Sequence, residues 1–139
     1  MSKRVLVTGG AGFIGSNVAD RFLEEGFDVE IVDDLSTGKR ENLPDGAGFH
    51  ETSVGGPEAA RIIREGNFDI VVHLASQIDV RKSVADPVFD ATTNILGSLN
   101  ILEAIRLSDR ATRFAFTSTG GAIYGDFNTP PNVETLPKD

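Results

Sequence analysis

Short runs of apolar residues alternate along the chain with segments in which apolar residues recur every three or four positions. The runs are typical of buried strands, and the spaced segments are typical of amphipathic helices. The predicted strands cover residues 5–7, 29–32, 49–54, 70–74 and 113–117, and the predicted helices cover residues 13–25, 57–65 and 87–107.

The strict alternation of strands and helices predicts a doubly wound α/β fold of the Rossmann-like type. Right-handed crossovers between successive strands give a parallel sheet of about five strands in the order 3-2-1-4-5. The fifth strand then has an open flank, because the sequence supplies no sixth. We expect one domain over residues 1–125 and a proline-rich, turn-like tail over 126–139.

The predicted helix over residues 87–107 has two apolar strips on a helical wheel. We expect the wide strip to cover the sheet and the narrower strip, Ile101 and Ile105, to need another partner. A second copy of the chain is such a partner, so a homodimer is an expectation. The alternative is that other helices of the same chain cover Ile101 and Ile105. The wide strip consists of Val88, Ile95, Leu99 and Leu102.

Composition narrows the function. The 139 residues carry a net charge of −8, with no cysteine and two histidines. The lack of cysteine excludes disulfides and thiolate nucleophiles, and two histidines are too few for a recognisable zinc site. The sequence has no basic patch of the kind that binds nucleic acid. No apolar run approaches a membrane span or a signal-peptide core, so we expect no membrane partner and a cytoplasmic location.

A glycine-rich turn follows the first predicted strand. Gly10, Gly12 and Gly15 fit G-x-G-x-x-G, and Gly9 gives a second interpretation, G-x-x-G-x-x-G. Such glycines let backbone N–H groups approach a pyrophosphate at the start of a helix. A phosphate loop of the Walker type is excluded, because Ser16 follows the last glycine where that motif requires lysine.

Acidic residues end the second predicted strand. Asp33 or Asp34 is expected to accept hydrogen bonds from the adenosine ribose and to repel a 2′-phosphate, which favours NAD over NADP. Lys39 and Arg40 lie close by in sequence and are the alternative, as a site that could receive that phosphate.

Five motifs occur in a fixed order along nearly the whole chain. They are TGGAGFIGS at residues 8–16, DDLSTGKRENL at 33–43, HLASQIDVRKSVADP at 73–87, NILGSLNILEA at 94–104 and FTSTGGAIYGD at 116–126. Together they resemble the NAD-dependent epimerase/dehydratase family of the extended short-chain dehydrogenases/reductases. The resemblance implies a nucleotide-sugar epimerase that oxidises and re-reduces C4 of a UDP-sugar through bound NAD.

The resemblance also implies which residues contact NAD. These are Gly9, Gly12, Phe13, Ile14 and Gly15 at the pyrophosphate, Asp33, Asp34, Leu35, Ser36, Thr37 and Gly38 at the adenosine ribose, Ser53 and Val54 on the adenine side, Leu74, Ala75, Ser76 and Gln77 along the cofactor, and Asn94 near the nicotinamide. Ser53 stands where the family usually has an acidic residue.

The family's catalytic Ser/Thr follows the fifth strand, and the resemblance assigns it to Thr119, with Ser118 as the alternative. His73 is expected to be a packed core histidine, and Tyr124 matches a structural position. The family's Tyr-x-x-x-Lys motif is absent, because Tyr124 is the only tyrosine and Asn128 stands four residues later.

Two functions remain open from the sequence, and a third interpretation is a structural or interaction protein with a vestigial fold. The chain is expected to be the N-terminal part of an epimerase, truncated before the catalytic helix and the sugar-nucleotide domain. It would then meet a UDP-sugar only in the full-length context and be inactive alone. The alternative is a short stand-alone module that binds NAD without turnover.

Overall fold

A computed structural model describes residues 2–119, 123–124 and 133–135. Its five strands form one parallel sheet in the order β3-β2-β1-β4-β5, which confirms the predicted topology. The strands are β1 (Arg4–Thr8), β2 (Asp28–Asp33), β3 (Gly48–Glu51), β4 (Ile70–His73) and β5 (Arg113–Phe116). The expected tail over residues 126–139 lies almost entirely outside the described residues.

Helices cover both faces of the sheet. On one face α1 (Phe13–Glu24) packs against Val5 and Val7 of the central strand. On the other face α2 (Pro57–Gly66) and α5 (Gly97–Arg106) pack against Leu6 of the same strand. The apolar run of β1 is therefore buried from both sides, as a central parallel strand requires.

The segment between β4 and α5 differs from its prediction. A short helix, α3 (Val80–Ala85), was missed; it begins where the Asp79 carboxylate accepts a hydrogen bond from the Arg81 N–H. The helix predicted over 87–107 consists of α4 (Pro87–Ala91), one π-helical turn (Thr92–Leu96) and α5.

The orientation predicted for this helix was wrong. Ile101 is completely buried against the sheet, and Ile105 packs beside it. The four residues expected to cover the sheet are the exposed ones, namely Val88, Ile95, Leu99 and Leu102.

Two elements end elsewhere than predicted. The third strand stops at Glu51 rather than at residue 54. Helix α2 includes Gly66, and the left-handed residue that ends it is Asn67, with φ of 52°. Outside the predicted elements, Ile123 and Tyr124 are helical, and the Ile123 N–H donates to the Thr119 carbonyl at 3.1 Å.

Candidate functional site

The carboxyl ends of the parallel strands meet at one edge of the sheet. Thr8 ends β1, Asp33 ends β2, and His73 ends β4. The chain leaves β1 towards β2 on one side, whereas β4 joins β1 on the other, so the strand order reverses between β1 and β4. A crevice at such a reversal is where doubly wound sheets bind their ligands.

The glycine turn lies against the loop that follows β4. Gly9 has φ of +74°, and a Cβ atom there would come within 2.8 Å of the Ala75 backbone nitrogen. The Gly9 N–H donates to the Val32 carbonyl at 2.8 Å, which fixes the turn to β2 as well. Only glycine satisfies both the backbone conformation and the close approach.

Helix α1 begins directly on this turn and offers free N–H groups. A Cβ atom on Gly15 would overlap the Gly9 carbonyl oxygen and lie 2.7 Å from its carbon, so the helix and the turn are in backbone contact. The helix starts after Gly12 with no side chain capping it. The first N–H groups of a helix have no partner within it, and together with the positive end of the helix dipole they attract anions. The turn from Gly9 to Gly12 and the first turn of α1 form a glycine cradle, which could hold the pyrophosphate of a dinucleotide.

Asp33 joins the glycine turn to the loop after β2. Asp33 is 7% exposed; its Oδ2 accepts from the Ala11 N–H at 3.0 Å and its Oδ1 from the Leu35 N–H at 2.8 Å. Each carboxylate oxygen can accept a further bond, so two ribose hydroxyls can still be bound. Asp34 is exposed, and its Oδ1 accepts from the Ser36 N–H at 2.9 Å.

The loop after β2 lies on the glycine turn. The Lys39 N–H and the Asn42 side-chain amide both donate to the Ala11 carbonyl, at 3.0 and 2.9 Å. A Cβ atom on Gly38 would come within 2.9 Å of Asp33 Oδ1. The glycine at position 38 therefore allows the loop to approach the Asp33 carboxylate.

The loop after β4 is held by Asn94, which lies in the π-helical turn. Asn94 Oδ1 accepts from the Gln77 N–H at 2.8 Å, and its Nδ2 donates to the Gln77 carbonyl at 2.9 Å. The structure thus brings together two predicted cofactor residues that are 17 positions apart. Single π-helical turns are frequent at functional sites, and this one supports the crevice.

Ser83 and Asp90, which hold the Gln77 side chain, were not among the predicted site residues. Gln77 Nε2 donates to Ser83 Oγ at 2.9 Å and to Asp90 Oδ1 at 3.1 Å. Ser83 Oγ in turn donates to the same carboxylate oxygen at 2.7 Å, and Asn94 Nδ2 does so at 3.1 Å. The spacing of Asp90 and Asn94, one helical turn apart, was the only signal in the sequence.

His73 is buried, as expected, and both of its ring nitrogens are engaged. Nδ1 lies 2.7 Å from Thr8 Oγ1, and Nε2 lies 3.0 Å from Ser98 Oγ. Thr8 Oγ1 already accepts the N–H groups of Leu74 and Ala75, each at 3.2 Å, so its proton goes to Nδ1 and the neutral ring donates from Nε2. Burial lowers the pKa of His73 below its ordinary value.

This burial predicts a pH dependence of stability. A histidine that stays neutral when folded but takes up a proton when unfolded stabilises the fold above its unfolded pKa of about 6.5. Its contribution is lost as the pH falls below that value. In urea unfolding between pH 8 and pH 5, His73→Asn is expected to show a shallower fall in the free energy of unfolding than the wild type. Equal slopes would contradict this.

The remaining predicted residues differ in their exposure to solvent. Val54 is buried in the core cluster beneath α2 and α5, whereas Ser53 is exposed. Thr119 and Ser118 are exposed beyond the end of β5, and the Thr117 N–H donates to the His73 carbonyl at 3.3 Å. The other predicted residues at least partly open to solvent are Gly12, Phe13, Ile14, Leu35, Ser36, Thr37, Leu74, Ala75 and Ser76.

Metal binding and membrane insertion each have their own structural requirements. In the described part of the chain, no group of three or more histidine, aspartate or glutamate side chains is arranged to hold a metal ion. No helix within those residues is long and apolar enough to cross a membrane.

Comparison with known proteins gives matches along the whole chain. The profile of the NAD dependent epimerase/dehydratase family matches residues 5–139. UDP-glucose 4-epimerase of Mycolicibacterium smegmatis is 40% identical, over 96% of this chain and 44% of that protein. The chain thus spans less than half the length of this relative.

Solved structures agree with the sequence matches. The crystal structure of UDP-glucose 4-epimerase from Thermotoga maritima with UDP-glucose is 46% identical with a TM-score of 0.86. The Thermus thermophilus UDP-glucose 4-epimerase complex with NAD gives the same two values. Each match covers 98% of this chain and 44% of the other.

Proposed function

The chain belongs to the NAD dependent epimerase/dehydratase family, and we propose that it binds NAD as the cofactor-binding part of a UDP-glucose 4-epimerase-like enzyme. The observation that carries this proposal is the glycine cradle, in which the uncapped start of α1 packs on the turn at Gly9. That turn contacts the loop after β4, and the Ala11 N–H within it donates to the Asp33 carboxylate. The similarity to an epimerase solved with NAD supports it.

Each part of the crevice has a task in this proposal. The turn from Gly9 to Gly15 binds the pyrophosphate, and Asp33 accepts hydrogen bonds from the adenosine ribose. Asn94 and Gln77 keep the loop after β4 in the shape that lies along the cofactor. Val54, being a core residue, would act by shaping the adenine side from beneath.

The reaction proposed for the longer enzyme is inversion at C4 of a UDP-sugar, for which NAD supplies a reversible hydride acceptor. Thr119, or Ser118 in its place, would hydrogen-bond the reacting sugar hydroxyl. Residues 1–125 would form the cofactor domain. Because the chain spans 44% of the length of its relatives, the sugar nucleotide is proposed for the longer enzyme alone.

Thermal unfolding with each dinucleotide tests the proposal. A ligand that binds only the folded chain stabilises it by about 2.7 kcal/mol at a hundred times its Kd. We expect NAD⁺ to raise the Tm more than NADP⁺ does. Asp33→Asn should lose most of this rise, because its amide cannot accept from both backbone N–H groups, whereas Asp34→Asn should keep it. An equal or larger rise with NADP⁺ would refute the role of Asp33.

A stand-alone NAD-binding module is the second candidate. The 139 residues contain one tyrosine, Tyr124, with Asn128 four residues later, so a Tyr-x-x-x-Lys motif does not occur among them. The DNA after the codon for Asp139 separates the two candidates. An open reading frame that continues into Tyr-x-x-x-Lys supports the epimerase, and a stop codon supports the module.

We also propose that two copies of the chain pair through the exposed apolar residues of α4, the π-helical turn and α5. Val88, Ile95, Leu99 and Leu102 are all exposed there. Light scattering is expected to give a mass above that of the monomer, and Leu99→Glu should restore the monomer. Leu107→Glu is the control, since this exposed leucine lies outside the strip. A monomeric wild type at high concentration would contradict the pairing.

A further inference from the structure

Arg40, which the sequence left as a candidate for binding a phosphate, is already paired. Its guanidinium donates from Nη2 to the carboxylate of Glu51 and lies 5.1 Å from the centre of the Phe49 ring. Both partners belong to β3, the edge strand next to β2. Lys39, by comparison, has its Nζ 3.4 Å from Glu41, a looser contact within its own loop.

The register of the sheet places Glu51 beside Asp33. The two residues are direct partners in the pairing of β2 with β3, and the Thr52 N–H donates to the Asp33 carbonyl at 3.1 Å. The loop that carries Arg40 also reaches Asp33, through Gly38. Arg40 and Glu51 therefore meet next to the carboxylate proposed to bind the adenosine ribose.

We propose that Glu51 is a specificity-determining residue, which rejects NADP by holding the Arg40 guanidinium away from a ribose 2′-phosphate. The inference rests on the proposed binding of a dinucleotide at Asp33. A 2′-phosphate would enter beside the carboxylates of Asp33 and Glu51. Arg40 is the arginine best placed to neutralise that phosphate, and Glu51 already engages it.

The physical reason is competition for one guanidinium. Arginine binds carboxylates and phosphates with the same planar set of donors. Glu51 engages the Arg40 guanidinium through Nη2 alone, so a phosphate that reaches the remaining donors would share the arginine with Glu51 or displace it. In either case the Glu51 carboxylate stays nearby as an unfavourable charge. Such discrimination weakens the binding of the unwanted ligand instead of strengthening that of the preferred one. It is a common source of specificity.

A double-mutant cycle tests this directly. The Kd values of NAD⁺ and NADP⁺ are measured by calorimetry for wild type, Glu51→Gln, Arg40→Gln and the double variant. Glu51→Gln is expected to tighten NADP⁺ binding about fivefold, the upper end for a charge pair exposed to solvent, with NAD⁺ changed less than about twofold. Arg40→Gln alone should leave both affinities nearly unchanged. The double variant should lose the gain in NADP⁺ affinity.

The cycle separates a released arginine from a simple loss of negative charge. If Glu51→Gln tightens NADP⁺ binding equally with and without Arg40, charge removal alone is responsible and the proposal is overturned. Glu103→Gln, which frees the similarly exposed Arg106 on α5, serves as the matched control and should leave NADP⁺ affinity unchanged. Because the side chains of Arg40 and Glu51 are 62% and 54% exposed, the variants are expected to fold.

The wild-type titrations distinguish this inference from the function on which it depends. A wild type that binds neither dinucleotide contradicts both. A wild type that binds NAD⁺, together with a Glu51→Gln variant whose NADP⁺ affinity is unchanged, overturns the role of Glu51 and leaves NAD binding intact.

Discussion

Gly15→Ala is expected to abolish binding of NAD⁺ and to lower the Tm of the chain by about 4–12 °C, the equivalent of an overpacking cost of about 1–3 kcal/mol. The added methyl group would overlap the Gly9 carbonyl, which is backbone and cannot rotate away as a side chain would. Relief requires α1 to move off the glycine turn, and that movement opens the cradle. Thermal unfolding with and without NAD⁺ measures both effects.

Gly55→Ala is the matched control. A Cβ atom there has no neighbour closer than 3.9 Å, so the Tm and NAD⁺ binding should stay close to wild type. A Gly15→Ala variant that still shows the full stabilisation by NAD⁺ would mean that the start of α1 does not hold the pyrophosphate.

We also expect the chain alone to show no turnover of a UDP-sugar. The 139-residue chain with NAD⁺ is expected to convert no UDP-galactose into UDP-glucose. General acid–base catalysis contributes about 10²–10⁴-fold, and the sequence has no Tyr-x-x-x-Lys to provide it. Positioning of the reactants is worth about 7–11 kcal/mol, and the proposal leaves the binding of the sugar nucleotide to the longer enzyme.

Chromatography of the reaction mixture checks this expectation. Thr119→Ala provides the internal control, because an unassisted hydroxyl is too weak a base at neutral pH to sustain the reaction alone. Turnover by the purified wild type that disappears in Thr119→Ala, with host epimerase excluded, would reveal an unrecognised base among the residues present.

The sequence predicted the strand order of the sheet. It assigned the wrong side of the helix predicted over residues 87–107 to the sheet. Counting large apolar residues favoured the strip with Leu99, yet the buried side of α5 is built on small residues beside Ile101. Ala104 is 2% exposed, and a Cβ atom on Gly97 would come within 3.0 Å of a Val54 methyl group. Small residues let the helix approach the core closely. The π-helical turn before Gly97 also shifts the phase of α4 relative to α5, which a wheel drawn at constant pitch cannot include.

The candidate site was predictable where local geometry dictates it. The glycine turn and Asp33 follow from backbone requirements within a single strand–turn–helix unit. The support of the loop after β4 was not predictable, because Ser83, Asp90 and Asn94 reach Gln77 only once α3 and α4 have folded back on it. Such polar contacts depend on tertiary structure and leave no periodic pattern.

Calorimetric titration of the wild-type chain with NAD⁺ measures directly whether the glycine turn and Asp33 form an NAD site. We expect saturable binding of one NAD⁺ per chain, with NADP⁺ binding more weakly under the same conditions. No saturable binding of NAD⁺ to the folded chain, or a tighter Kd for NADP⁺, would contradict it.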